Sequence, residues 1–346
     1  MRENPQPLNP SPPAAISARA MSRVTVRQAF VRFQSIAALL LMVVALSLHP
    51  RLSGTFLSQE NALNVLRQIS INTCLSIGMT LVILSGGIDL SVGSVLAFAG
   101  VVGAGLLKDG VELPAFGVSL QFTVAGAVLA ALAVGGSLGW INGLVITRFK
   151  LPPFVATLGM LSIARGFTQL WTKGFPITGL GGEFGFIGTG HWLGLPTPVW
   201  ISALLVAVFV LVTRKTRLGR YLYAIGGNER AAHLSGLNIR RIKTAVYALC
   251  GALAGVAGLL LTARLDSATP NAGVGYELDS IAAVIIGGTS LNGGRGSVLG
   301  TVLGCLIIGV LNNGLVLLEV SPFWQQVIKG VVIIAAVSLD RMGAKE

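Results

Sequence analysis

The sequence is short of charge. Only 11% of its 346 residues are Asp, Glu, Lys or Arg, where a soluble domain carries about 25%, so the chain cannot clothe a water-facing surface. Histidine is scarcer still: His49, His191 and His233 lie far apart in the chain and support neither a zinc site nor a catalytic triad. The three cysteines, Cys74, Cys250 and Cys305, fall inside apolar runs without metal-ligand spacing. They read as small buried hydrophobes rather than disulfides or ligands. No G-x-x-x-x-G-K-S/T is present, so the chain has no P-loop to hold ATP phosphates. The Gly-rich run "GLGGEFG" at 179–185 follows no strand and does not supply a nucleotide site. These absences leave no catalytic residues and no metal ligands to name.

What is there is apolar: 53% of residues are hydrophobic and the mean hydropathy is +0.78. About 20 apolar residues cross a bilayer as a helix. Segments near 34–50, 62–86, 90–107, 121–146, 153–171, 198–213, 244–263, 279–291, 297–318 and 322–339 meet or approach that length. Alternating patterns are missing, and lipid admits only helices or closed barrels. The expected fold is therefore an all-α polytopic membrane protein with about ten transmembrane or partly spanning helices. The 279–291 segment is short and ends at Gly287-Gly288, so it is either half-buried or re-entrant.

The basic residues orient the bundle. With the N-terminus placed in the cytoplasm, eighteen of the 25 basic residues fall on the inner side. They are Arg2, Arg19, Arg23, Arg27 and Arg32, the Arg148/Lys150 turn, the 214–243 loop, Arg295, Arg341 and Lys345. The outer side keeps Arg51, Lys108, Lys173 and Arg264 together with eight acids, among them Glu183, Asp266 and Asp279. Positive-inside bias favours this orientation and puts both termini in the cytoplasm. A pI near 10.4 thus reflects membrane topology rather than nucleic-acid binding. Residues 1–33, with Pro5, Pro7, Pro10, Pro12 and Pro13, read as a disordered, Pro-rich basic cytoplasmic tail. Residues 34–341 form the transmembrane domain, and its first helix is retained because no small-x-small cleavage site follows it.

Four features stand out along the apolar runs. Small residues recur at four-residue spacing in Gly135-Gly139-Gly143, Gly251-Gly255 and Gly300-Gly304. This spacing lets helix backbones approach closely, within one bundle or, less favoured, between subunits. Two related stretches, "VILSGGIDLSVGSVLAFAGVV" at 82–102 and "VIIGGTSLNGGRGSVLGTVLG" at 284–304, each break an apolar run at a Gly-Gly pair, Gly86-Gly87 and Gly287-Gly288. Broken helices at corresponding places in two halves point to a transport pathway. Asp89 in the first is expected to cap the next helix by accepting from the Ser91 and Val92 N–H groups; pathway lining is the other reading. Arg67, Arg165 and Lys329 fall within expected spans, where charge is costly. Arg67 reads as snorkelling, and Arg165 as bundle architecture ahead of pathway lining.

The fourth is the loop 214–243, with eight basic residues against one acid, Glu229. Within it Asn228 can cap a short helix over 229–234 that Gly236 terminates. A solvated basic loop needs no capped helix, so a docking surface for a partner is expected.

At this point the sequence resembles a family. "GMTLVILSGGIDLSVGSVLA", "LPPFVATLGMLSIARG", "TRLGRYLYAIGGNERAAHLSGLNI", "YELDSIAAVIIGGTSLNGGRGSVLGT" and "LNNGL", in this order, are similar to the permease subunits of bacterial monosaccharide ABC importers, those for ribose above all. The resemblance covers residues 33 to 341. It implies an inner-membrane homodimer, a cytoplasmic ABC ATPase subunit carrying ATP and Mg, and a periplasmic sugar-binding protein. This chain itself then holds no cofactor. The resemblance also implies that Asn228, Glu229, Arg230, Ala231, Ala232, Leu234 and Gly236 form the coupling helix, with Ala232 as the small contact inside an ATPase groove. A neutral sugar needs hydroxyl-matching groups and aromatic faces. Pathway candidates are accordingly Asn72, Thr73, Asn142, Phe154, Thr157, Asn312, Asn313 and Trp324, with Asp89 and Arg165 behind them. The implied cargo is ribose, then another pentose, a hexose or a signalling sugar. A secondary sugar transporter or channel is the alternative.

Overall fold

The computed structural model describes residues 35–52, 54–113 and 118–343. The tail at 1–33 and Lys345 lie outside them. All ten expected segments hold a helix. In chain order the helices are α1 (Ser35–Ser47), α2 (Gln59–Leu84), α3 (Val92–Lys108), α4 (Val124–Phe149), α5 (Pro153–Thr172), α6 (Gly182–Thr189) and α7 (Thr197–Lys215). There follow α8 (Arg217–Gly227), α9 (Glu229–Leu234), α10 (Ile239–Leu265), α11 (Tyr276–Ile286), α12 (Val298–Leu317) and α13 (Pro322–Gly343). Five of these, α2, α4, α7, α10 and α12, are long and apolar enough to cross a membrane; α1, α3 and α13 contain shorter apolar stretches. Helix α11 has 11 residues. At 1.5 Å per residue it reaches about 16 Å, roughly half the hydrocarbon core.

The helices start where side chains can satisfy their first N–H groups. Ser58, Thr123, Thr216, Asn228, Asn238 and Ser297 each accept from the backbone N–H three residues on, as N-caps do. Pro153 opens α5 and Pro198 lies in the first turn of α7, where a missing N–H costs nothing. Helices α2 and α10 are the buried centre, while α4 and α7 show most of their surface. Burial sorts them because α10 is packed on all sides by α2, α3, α4 and α6.

The small-residue stripes act inside the bundle. A Cβ on Gly139 would overlap the Tyr247 carbonyl, one on Gly135 the Gly251 carbonyl, and one on Gly143 the Thr244 backbone. These contacts seat α4 against α10. Gly300 and Gly304 likewise meet the backbones of Gly287 and Ala283, which seats α12 on α11. Among the described residues, three short antiparallel pairings lie at the end opposite α9. They are β1 (Val111–Leu113) with β2 (Val118–Leu120), β3 (Ile177–Thr178) with β6 (Ser267–Ala268), and β4 (His191–Trp192) with β5 (Leu195–Pro196).

Candidate translocation and coupling sites

The half-length of α11 exposes its first turns to a polar cavity of about 100 Å³ between α2, α11, α12 and α13. Two pathway candidates, Asn72 from α2 and Asn312 from α12, meet there with Gln68, Asp279, Gln325 and Lys329. Lys329 Nζ lies 2.9 Å from Asp279 Oδ2, so the two charges neutralise each other across α11 and α13. Asn72 Oδ1 accepts from the Ser280 hydroxyl at 3.3 Å, and Gln325 Nε2 donates to the Val320 carbonyl at 2.8 Å. The Asn312 side-chain oxygen is buried and has no hydrogen-bond partner among the described residues.

The other candidates stand elsewhere. Asn313, beside Asn312 in the chain, exchanges amide hydrogen bonds of 2.7 and 3.0 Å with Asn61. Thr73 is buried in the core. Thr157 is buried and donates to the Pro153 carbonyl at 2.9 Å. Arg165 Nη1 donates to the carbonyls of Pro270 at 2.6 Å and Ala272 at 2.9 Å, tying α5 to the segment before α11. Phe154 and Trp324 present their rings on the outside of the bundle. Arg67 reaches His191 at 2.8 Å in an exposed contact.

Asp89 and Asn142 join a closed polar knot. Asp89 Oδ1 accepts from the Ser91 N–H at 2.9 Å and the Ser91 hydroxyl at 2.6 Å. Asn142 Nδ2 in turn donates to Ser91 Oγ at 2.9 Å. The cap expected over Ser91 and Val92 is therefore not formed as such. Ser91 itself occupies the N-cap position of α3, with αR dihedrals, and Asp89 closes a local turn on it. All three residues are buried.

The end carrying α9 is built on glycine. Helix α2 stops at Leu84, and Gly86 follows at φ 79°; α11 stops at Ile286, and Gly288 follows at φ 84°. Such left-handed conformations suit glycine alone without strain. The two breaks touch: the Gly294 N–H donates to the Leu84 carbonyl at 3.0 Å. Helix α8 presses on the same point, since a Cβ on Gly226 would overlap both Leu84 O and the Gly294 nitrogen. Tyr223 of α8 donates to the Gly296 carbonyl at 3.0 Å. Burial raises its phenol pKa, against a smaller opposite pull from Arg214, so it stays a neutral donor.

Helix α9 follows directly. Asn228 Oδ1 accepts from the Ala231 N–H at 2.9 Å, and Gly236 at φ 84° ends the helix with the Leu237 N–H donating to the Ala232 carbonyl. Lys243 pairs with Glu229 at 2.7 Å. One expectation is corrected. Ala232 is only 5% exposed, because in a helix this short it sits on the face packed against α8 and α10. Glu229, Arg230, Ala231, His233 and Leu234 all face outward, and Leu234 is 80% exposed.

Sequence reasoning missed Asp279, Gln68 and Gln325 as cavity residues. The available signal was Lys329: an in-span lysine calls for an acid partner, and the nearest acid on a helix start is Asp279.

Comparison with known proteins agrees with this architecture. Residues 61–337 match the family described as branched-chain amino acid transport system / permease component. The ribose import permease protein RbsC of Escherichia coli (strain K12) is 47% identical over 311 residues, 89% of this chain and 92% of the relative. That of Bacillus subtilis (strain 168) is 48% identical over 305 residues, 88% and 90% respectively. The D-allose transport system permease protein AlsC of Escherichia coli (strain K12) is 39% identical over 290 residues, 84% and 86%. A match of this length, on a bundle of this kind, makes the chain a member of the permease-component family of the branched-chain amino acid transport system type.

Proposed function

We propose that this chain is the inner-membrane subunit of an ATP-driven importer that carries a monosaccharide, ribose before other sugars, into a bacterial cytoplasm. A separate ATPase subunit supplies the energy, a periplasmic binding protein delivers the sugar, and a second copy of the chain completes the membrane part. The relatives named for ribose and D-allose support the cargo. The observation that carries the ATP-driven part is α9 with its attachment. A capped, exposed helix on the basic end is joined through α8 to both helix breaks at Gly226, Leu84 and Gly294. A push on α9 from a cytoplasmic partner reaches the hairpins α2–α3 and α11–α12 together, and α2, α11 and α12 are among the helices that line the polar cavity.

Leu234, 80% exposed on α9, is the apolar contact we assign to such a partner. Reconstitution with the cognate ATPase and binding protein gives ATP-dependent ribose uptake. Leu234→Asp leaves membrane insertion intact but abolishes co-purification of the ATPase, and uptake with it. Ribose uptake by proteoliposomes lacking the ATPase would instead place the protein among secondary transporters.

A further inference from the structure

We infer that the groove between the basic ends of α4 and α10 is a binding site for an anionic phospholipid of the cytoplasmic leaflet. Arg240 and Arg241 hold its phosphate, and Trp140 lies against its glycerol and upper acyl chains. The site is separate from the polar cavity, and the inference does not depend on the cargo.

Shape comes first. Gly139 and Gly143 seat α4 on α10 at Tyr247 and Thr244. Trp140 and Leu144, each one residue further along α4, stand beside that contact. With Arg240, Arg241, Thr244 and Ala245 of α10 they line an open cavity of about 480 Å³. Small-molecule sites span about 300–1,000 Å³. The α4 wall belongs to a helix that shows most of its surface. Trp140 is 50% exposed, and Ile141 and Phe149 beside it are exposed too. On a spanning helix such a face meets acyl chains.

Charge then selects the occupant. Arg240 and Arg241 are exposed, and neither pairs with a carboxylate among the described residues. Both lie in the first turn of α10, which holds no acid. They add to the positive end of the helix dipole, where a cation is disfavoured. Glu229, the one acid of the 214–243 loop, is already held by Lys243 at 2.7 Å. The two arginines therefore call for an anion from outside the chain, and a basic pocket between helices on the cytoplasmic side suits an anionic headgroup.

Depth fits a lipid better than a free ion. Tyr247 stands seven residues beyond Arg240 on α10, about 10 Å at 1.5 Å per residue. Trp140 follows Gly139, which touches the Tyr247 backbone. A phosphate at the arginines thus places glycerol and the first methylenes beside the indole, at the level where tryptophan is enriched in membrane proteins. A soluble anion would use the arginines and leave the apolar wall bare.

The test uses the purified full chain in detergent. It is titrated with dioleoyl phosphatidylglycerol or dioleoyl phosphatidylcholine, which share acyl chains and differ in headgroup charge. Bound lipid is counted by native mass spectrometry. Phosphatidylglycerol is expected to bind about thirtyfold more tightly, the factor for two basic residues near an anionic headgroup. Arg240→Gln/Arg241→Gln removes this preference. Trp140→Ala weakens both lipids alike and keeps their ratio. Arg217→Gln/Arg220→Gln takes the same charge from exposed positions on α8 and leaves the preference intact. An equal loss in the α8 variant would make the preference a diffuse effect of the basic end. Displacement of the lipid by excess inorganic phosphate, or lipid binding indifferent to Trp140→Ala, would make the groove a soluble-anion site. Loss of ATPase co-purification in Arg240→Gln/Arg241→Gln would make the arginines a protein contact. Each of these three results overturns the inference.

Discussion

Lys329 and Asp279 show how a single pair shapes the outer half of the bundle. Asp279 is 6% exposed, and its carboxylate is tolerable there because the lysine ammonium stands 2.9 Å away. Taking away one partner of a buried pair leaves an uncompensated charge and costs about 3–5 kcal/mol, whereas replacing both is often nearly neutral. The Lys329 side chain is 28% exposed, which moves the cost to the lower end. Lys329→Met should therefore lower the thermal unfolding midpoint in detergent, and the double variant Lys329→Met/Asp279→Asn should recover most of the loss. An equal or greater loss in the double variant would show that the pair does not act as a unit. The same scale explains why this site was only partly legible. Asn312 and Asn313 are adjacent, and a helix turns about 100° per residue, so one amide faces the cavity and the other faces Asn61. Nothing in the order of residues says which. Only the neighbours of α12 decide it.

Elements were far more legible, because an apolar run of membrane length has one way to satisfy its backbone. The ten helical segments, five of them long enough to cross a membrane, the two Gly-Gly breaks and the capped helix at 229–234 all follow from local chemistry: run length, left-handed glycine and an Asn cap. What local chemistry does not hold is contact between elements. The breaks at Gly86-Gly87 and Gly287-Gly288 read as a repeated pattern, yet their meeting through Leu84 and Gly294 depends on packing 200 residues apart in the chain, and α8 joins them only because Gly226 has no side chain. The burial of Ala232 has the same origin. This junction makes a prediction at its own scale. Gly226→Ala forces α8 away from the Leu84 carbonyl, at an overpacking cost of about 1–3 kcal/mol. The outward face of α9 is untouched, so the ATPase should still co-purify and hydrolyse ATP. Sugar uptake per ATP hydrolysed should fall severalfold. Tyr223→Phe removes the hydrogen bond to Gly296 without steric change and should give a milder loss in the same ratio. If both variants keep the wild-type ratio, force does not pass through this point.

For the whole molecule, orientation and energy supply are one question, because an energy source on one side can act only on the end it can reach. The basic loop, α8, α9 and the glycine junction share one end of the bundle; the three β pairings and the mouth of the polar cavity share the other. Positive-inside bias places the first end in the cytoplasm, where ATP is. Cysteine introduced at Glu183, exposed in the first turn of α6, should react with an impermeant reagent in intact cells, and cysteine at Arg217 only after permeabilisation. The reverse pattern would put α9 outside, out of reach of any cytoplasmic ATPase, and the coupling reading would fail together with the orientation. Granted the orientation, the chain still lacks a P-loop anywhere in its sequence. The purified chain alone should therefore hydrolyse no ATP and move no ribose above empty liposomes, since nothing in it can exchange one access state for the other at the expense of nucleotide. Adding the ATPase and the loaded binding protein should start both activities together, and Gly226→Ala should separate them again. Ribose flux through the unaccompanied chain would mean that the α2–α3 and α11–α12 hairpins open spontaneously, and the glycine junction would then be a hinge without a driver.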